Sequence, residues 1–208
     1  MTKYIRYAAT PTLVLFGIFF AMKGQYWMWV YQAIFTLIVI FGDLFLGDDR
    51  SQPEYAAPKL LNFFLYINLP LLFTILAISI WMAGSLPLPA WGASLMDARE
   101  ETTFIHLVGY VIVLGLMVAT AGTNVGHELT HRKRNRFDMF MGNWLLALTW
   151  DCSFAIEHVY GHHKYVATSI DPATAKRGQN PYNFILRAIF LNQRNAWIIE
   201  NSRLIKKG

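Results

Sequence analysis

Four apolar stretches fill most of the chain up to Gly126, and they restrict what it can fold into more than any other feature. They run from about Tyr7 to Met22, Tyr26 to Leu46, Leu60 to Gly84 and Thr102 to Gly126. Crossing the hydrocarbon core of a bilayer takes roughly 20 residues of helix. Lipid offers the backbone no hydrogen-bond partners, so a segment that crosses alone must be helical. The expected fold is therefore an all-α integral membrane bundle with four transmembrane helices. Only 15% of the residues are charged and 55% are hydrophobic, whereas a soluble domain carries about 25% charged residues. The first stretch is short and follows Lys3 and Arg6, as in a signal peptide. No small-x-small cleavage site follows it. Met22-Lys23-Gly24-Gln25 leads straight into Tyr26-Trp27, which predicts a tight hairpin between two helices.

The positions of the charges set the topology. The net charge is +5, but its placement argues for membrane orientation and against a nucleic-acid partner. With four spans, the N-terminal arm, the loop from Gly47 to Lys59 and everything after Gly126 lie on one side. That side holds 16 of the 18 Lys and Arg residues, leaving Lys23 and Arg99 on the other. Basic residues stay cytoplasmic, so both termini are expected there, in a multi-pass protein of a bacterial cytoplasmic (inner) membrane. The run Arg132-Lys133-Arg134-Asn135-Arg136 reads as a topology anchor. Beyond it, Met139 to Ile156 reads as a buried or re-entrant helix, Thr168 to Tyr182 as a loop, and Phe184 to Leu204 as an amphipathic helix. The single cysteine, Cys152, excludes disulfide frameworks and Cys-ligated metal sites and reads as a small core residue.

Five of the six histidines fall in two clusters, Gly126-His127-Glu128-Leu129-Thr130-His131 and Glu157-His158-Val159-Tyr160-Gly161-His162-His163. On an α-helix, His127 and His131 share a face, and so do His158 and His162. Neutral imidazoles on neighbouring turns can converge on one cation or on two close ones. Polar residues grouped at the end of a membrane bundle point to function, so these five are candidate metal ligands. His106 lies 21 residues before His127, about 31 Å along a helix, and reads as interfacial. Imidazole suits zinc, copper, iron and nickel alike. His-Glu-x-x-His is also the zinc protease signature, with Glu128 as general base. Five histidines exceed what such a site needs and suit a two-metal redox centre better.

The segment Thr123-Asn124-Val125-Gly126-His127-Glu128-Leu129-Thr130-His131-Arg132 resembles the first histidine box of the membrane alkane monooxygenases. Glu157-His158-Val159-Tyr160-Gly161-His162-His163, continuing through Val166-Ala167-Thr168 to Asp171-Pro172-Ala173-Thr174-Ala175, resembles their second box and its trailing loop. Asp43-Leu44-Phe45-Leu46-Gly47-Asp48-Asp49 is similar to the family's acidic stretch, and Asn195-Ala196-Trp197 with Glu200 to the helix leading to later spans.

The resemblance implies a six-helix bundle with a histidine-ligated di-iron centre at its cytoplasmic end. It implies hydroxylation of hydrocarbons by O2, usually at a terminal methyl, with electrons from a rubredoxin and its reductase. Matched residue by residue, His127, His131, His158, His162 and His163 are implied iron ligands, with Glu128 and Glu157 orienting them. On this reading residues 1–208 are one membrane di-iron oxygenase domain. Residues 7–126 supply four transmembrane helices, and 127–208 the cytoplasmic-side histidine boxes and the amphipathic helix. The family's further His-Tyr-Gly element and third box have no counterpart in these residues. The remaining ligands are therefore expected on a longer form of the chain or on another chain, and residues 1–208 alone are expected to be inactive. The rivals are a histidine-box fatty-acid desaturase or hydroxylase, an intramembrane zinc protease, and a non-enzymatic metal-binding membrane module. The x-His-x-x-x-His-His spacing and the Asp-Pro-Ala loop favour the monooxygenase over the first. Aromatic residues such as Trp27, Trp29, Tyr31, Phe35 and Phe41 are candidates for a substrate path or for a lipid-facing belt.

Overall fold

The structure, a computed structural model, describes Tyr4, residues 6–45 and residues 57–208, and among these every regular element is helical. Lys3, Arg50 and the Leu46-Gly47-Asp48-Asp49 part of the acidic stretch lie outside the described residues. The chain divides into two compact units, Met1–Val125 and Gly126–Gly208.

In the first unit, α1 (Ala9–Lys23) is followed by α2 (Trp27–Phe45), α3 (Pro58–Tyr66), α4 (Asn68–Ala83), α5 (Ala93–Glu100) and α6 (Phe104–Met117). A π-helical turn, Val118–Thr123, joins α6 to α7 (Asn124–His131). Three helical runs have the length and apolar composition to cross a membrane: Trp27–Phe45, Pro58–Ala83 and Phe104–His131, of 19, 26 and 28 residues. The fourth expected span is shorter than the pattern suggested. α1 has 15 residues, or about 22 Å of rise against roughly 30 Å of hydrocarbon. A 3-10 turn at Arg6–Ala8 precedes it, and Gly24 at φ 70° ends it, making the tight hairpin into α2.

What α1 lacks in length it makes up in burial. It presents the small or short residues Pro11, Val14, Gly17 and Ala21 to the core. A side chain on Gly17 would overlap the Met117 thioether, and one on Gly24 would lie 2.5 Å from the Ala98 carbonyl oxygen. Leu72, Ile75, Tyr110 and Val113 complete this core. Tyr110 donates its hydroxyl to the Ala21 carbonyl, and Tyr31 donates to that of Leu13 at 3.1 Å. Outer faces stay apolar: Leu37, Ile38, Phe41, Leu44, Ile80 and Val111 are all exposed. Such surface needs lipid or further apolar helices against it, and with three membrane-length apolar helices the protein is an integral membrane protein. Of the aromatic residues named above, Tyr31 is buried and Phe41 is about half exposed.

In the second unit, α8 (Arg136–Leu148) pairs with α7, and α9 (Phe154–Glu157), a π-helical turn (His158–His162) and α10 (His163–Tyr165) follow. A loop over residues 166–180 leads to α11 (Pro181–Ile205). The basic run forms the α7–α8 turn. Arg132 binds Glu128 at 2.9 Å and sits 3.7 Å from Asp138, while Asn135 caps α8 by accepting from the Phe137 and Asp138 amides. Three expectations need correction in this unit. The helix expected over Met139 to Ile156 stops at Leu148 and resumes at Phe154. Cys152 is exposed in the break between α8 and α9, so it is no core residue. α11 exists, but it is not cleanly two-faced. Its covered side mixes Arg187, Asn192 and Asn195 with Leu191, Ala196 and Ile199, while Ile185, Leu186, Ile189, Phe190 and Trp197 are exposed alongside Arg194 and Arg203.

Gly126 and Gly142 let α7 and α8 approach closely. A Cβ on either would stand 3.1 Å from the other's carbonyl oxygen. On Gly142 it would also meet Thr130 Cγ2 at 3.0 Å and Leu129 Cβ at 3.1 Å. Gly142→Val is therefore expected to destabilise the second unit by about 1–3 kcal/mol through overpacking. Thermal unfolding in detergent measures it; an unchanged midpoint would show that this contact has room to spare.

Candidate metal centre

The π-helical turn sets the second histidine cluster. In an α-helix the side chains at i and i+4 share a face, whereas a π turn closes at i+5. His158 therefore aligns with His163, and the two Nε2 atoms stand 3.0 Å apart. Across the unit, α7 is regular over its histidines, so His127 and His131 pair at i+4 with Nε2 atoms 2.8 Å apart. His127 and His158 close the set at 2.9 Å. These four imidazoles bring one nitrogen each within 4.8 Å of one another. Phe154 stacks on His158 with ring centroids 4.4 Å apart and lies edge-on to His127 at 5.6 Å, walling one side in apolar surface.

This donor set fits a metal cation. A neutral imidazole nitrogen holds either one proton or one lone pair. His127 Nε2 faces both His131 and His158, and His158 Nε2 faces both His127 and His163. Alternating protons can pair these contacts only by making the one N–H of His127 serve two acceptors and the one lone pair of His158 serve two donors. A cation accepts all four lone pairs at once. Ligand nitrogens about 2.1 Å from one cation and at right angles stand about 3.0 Å apart, close to the distances seen.

His162 stacks on His158, as the i,i+4 spacing leads one to expect, but no nitrogen of it falls within the group of four; its Nδ1 meets the Asp171 carboxylate at 2.9 Å. It stays close, with its ring 5.3 Å from that of His158 and 5.9 Å from that of His163. Asp171 was legible only as part of the loop after the second box. An aspartate opening an Asp-Pro turn nine residues after a histidine reads first as turn chemistry. Burial alone would raise its carboxyl. Hydrogen bonds from Thr174, Ala173 and His162 outweigh that and hold it below the usual value.

The two glutamates separate. Glu128 is exposed and engaged with Arg132. Glu157 is buried beside Gly161 and bonds Asn195, with one carboxylate oxygen unpartnered. Its carboxyl is pushed up by burial first and by Asp171 second. His106 belongs to the first unit, where its Nδ1 accepts from the Thr103 amide at 3.0 Å and closes the capping box of α6.

An all-helical chain with membrane-length helices and clustered histidines defines a class of membrane protein, and comparison with known proteins places it. The model of the family described as fatty acid desaturase matches residues 102–206, and the chain belongs to this family. Within the family its similarity is to alkane 1-monooxygenases. It is 32% identical over 201 residues to alkane 1-monooxygenase 1 of Pseudomonas aeruginosa, covering 90% of this chain and 50% of that protein. It is 31% identical over 207 residues to alkane 1-monooxygenase 1 of Alcanivorax borkumensis, covering 95% and 47%. The hydroxylase component of the Pseudomonas putida xylene/toluene monooxygenase is 28% identical over 205 residues, covering 98% and 52%. The chain thus spans about half the length of the curated relatives it matches.

Burial, then repulsion from His127, His163, His162 and His131, pushes His158 down to about 4. In the unfolded chain this imidazole takes up a proton near pH 6.5. Between those values the unfolded state holds more protons, so the metal-free protein loses stability as pH falls from about 6.5 towards 4. Thermal midpoints across that window should fall with pH, and His158→Gln should flatten the slope. A midpoint independent of pH there would contradict the packing of His158 against the other imidazoles.

Proposed function

We propose that the chain carries the histidine centre of a membrane monooxygenase that hydroxylates hydrocarbons, most simply the terminal methyl of an alkane, with O2 and two irons. The observation that carries this reading is the convergence of four Nε2 atoms, with His162 beside them, in a chain similar along its length to alkane 1-monooxygenases. His127, His131, His158 and His163 hold iron, and His162 supplies a fifth imidazole. Bound iron supplies the oxidant that a C–H bond without acid–base reactivity requires. The protein's part is to hold neutral imidazoles ready, to wall the site with Phe154, and to take an apolar substrate from the bilayer. Electrons come from a rubredoxin-type donor and its reductase. Against a zinc protease stands the placement of Glu128, which faces Arg132 when that mechanism needs it as a general base at the metal.

We further propose that both termini and the second unit are cytoplasmic, in keeping with 12 of the 18 basic residues lying after Gly126. In a Cys152→Ser background, cysteines introduced at Lys3 and Ser94 test this from outside intact cells. Labelling at Ser94 alone supports the topology. Labelling at Lys3 contradicts it: at Lys3 alone it shows an inverted orientation, and at both positions it shows that α1 does not cross.

In membranes of the native host, His127→Ala or His163→Ala should lower alcohol formation from a medium-chain alkane to background. His106→Gln, which preserves the capping box, should keep most of it. Gas chromatography of the alcohol with electron donors supplied measures this. Oxygen-independent activity, or zinc at full occupancy in place of iron, would overturn the assignment.

A further inference from the structure

We propose that Asp171 is the positioning residue for His162: its carboxylate accepts the imidazole Nδ1–H, fixes the tautomer and leaves Nε2 bare as a metal donor. The proposal rests on the iron reading above and names a residue beyond the histidines.

The Asp171 side chain is fully buried, yet three donors reach it. Oδ2 accepts from His162 Nδ1 at 2.9 Å and from the Thr174 hydroxyl at 2.5 Å, and Oδ1 accepts from the Ala173 amide at 2.9 Å. An ionised carboxylate only accepts, so the proton shared with His162 sits on the imidazole Nδ1. In a neutral ring the other nitrogen then carries the lone pair. Nε2 is also the nitrogen that the other four imidazoles turn towards one another. Histidine ligands commonly donate their second N–H to a carboxylate, which orients the ring and raises its basicity.

The loop that carries Asp171 is tied down on both sides. The Thr174 hydroxyl accepts from the Ala167 amide at 2.9 Å, and Ala167 is held at φ 65°, a conformation a residue with a Cβ rarely adopts. From α11, Arg187 Nη2 donates to the carbonyls of Pro172 at 3.2 Å and Thr174 at 3.0 Å. The carboxylate therefore cannot drift from His162 without breaking contacts at Ala167, Thr174 and Arg187. The turn of the π segment that removes His162 from the group of four delivers it to this anchor.

Two readouts on the detergent-purified chain test the proposal. In metal-free protein labelled with 15N-histidine, the His162 signal is found by comparison with His162→Gln. It should show a protonated Nδ1 and a bare Nε2, and Asp171→Asn should abolish that preference. In iron(II) titrations Asp171→Asn should weaken the His162-dependent binding step by about 10–100-fold, and should add nothing in a His162→Gln background. Thr174→Val, which keeps the carboxylate but removes one donor, should shift both readouts in the same direction by less, and serves if Asp171→Asn fails to fold. A wild-type His162 protonated on Nε2 would overturn the proposal. So would an Asp171→Asn effect of equal size with and without His162. The tautomer as stated in a protein that binds no iron would uphold the positioning and overturn the metal reading instead.

Discussion

The metal centre depends on one irregular turn of helix. A regular α-helix over 158–163 would pair His158 with His162 and point His163 elsewhere. The π segment adds about one residue to the turn, so His163 closes on His158 and His162 is released towards Asp171. Two neighbouring histidines thereby face different partners. The turn has local support. Gly161 leaves room for Glu157, whose carboxylate oxygen a Cβ at that position would meet at 2.6 Å, and Asn195 bonds Glu157 from α11. A π turn is rare in helices and frequent at functional sites; here the spacing His-x-x-x-His-His gains its meaning from it.

A second constraint is apolar surface turned outward. On α11 Ile185, Ile189, Phe190 and Trp197 are exposed, while Arg187, Asn192 and Asn195 lie on the covered side beside Leu191, Ala196 and Ile199, Arg187 holding the Asp171 loop and Asn195 holding Glu157. The first unit follows the same logic with lipid as the outer phase: exposed leucine, isoleucine and phenylalanine surround a core of small side chains at α1. Close approach at Gly17, Gly126 and Gly142 supplies packing where neighbouring apolar surface gives helices no reason to associate.

Much of this was legible in the residues. Continuous apolar runs gave the membrane-length helices, and the Lys23-Gly24 break gave the first hairpin. The clustering of His127, His131, His158 and His163 followed from spacing. The partner exchange between His162 and His163 did not, because helical-face arguments assume 3.6 residues per turn and nothing in Val159-Tyr160-Gly161 announces a wider one. Asp171 was hidden because it lies in the loop after the second cluster, and only the folded loop brings its carboxylate to His162 Nδ1. The exposure of Ile185 and Ile189 and the cover over Arg187 escaped a reading that took apolar residues as covered by default. Cys152 escaped it too: apolar neighbours in sequence surround a position that the α8–α9 break leaves open.

The central claim is that imidazoles, brought together by the π turn, hold iron. X-ray absorption at the iron edge of the iron-loaded protein tests it most directly. The account predicts a first shell of nitrogen with the outer-shell scattering of several imidazole rings per iron. A shell dominated by oxygen or sulfur without imidazole scattering would contradict it.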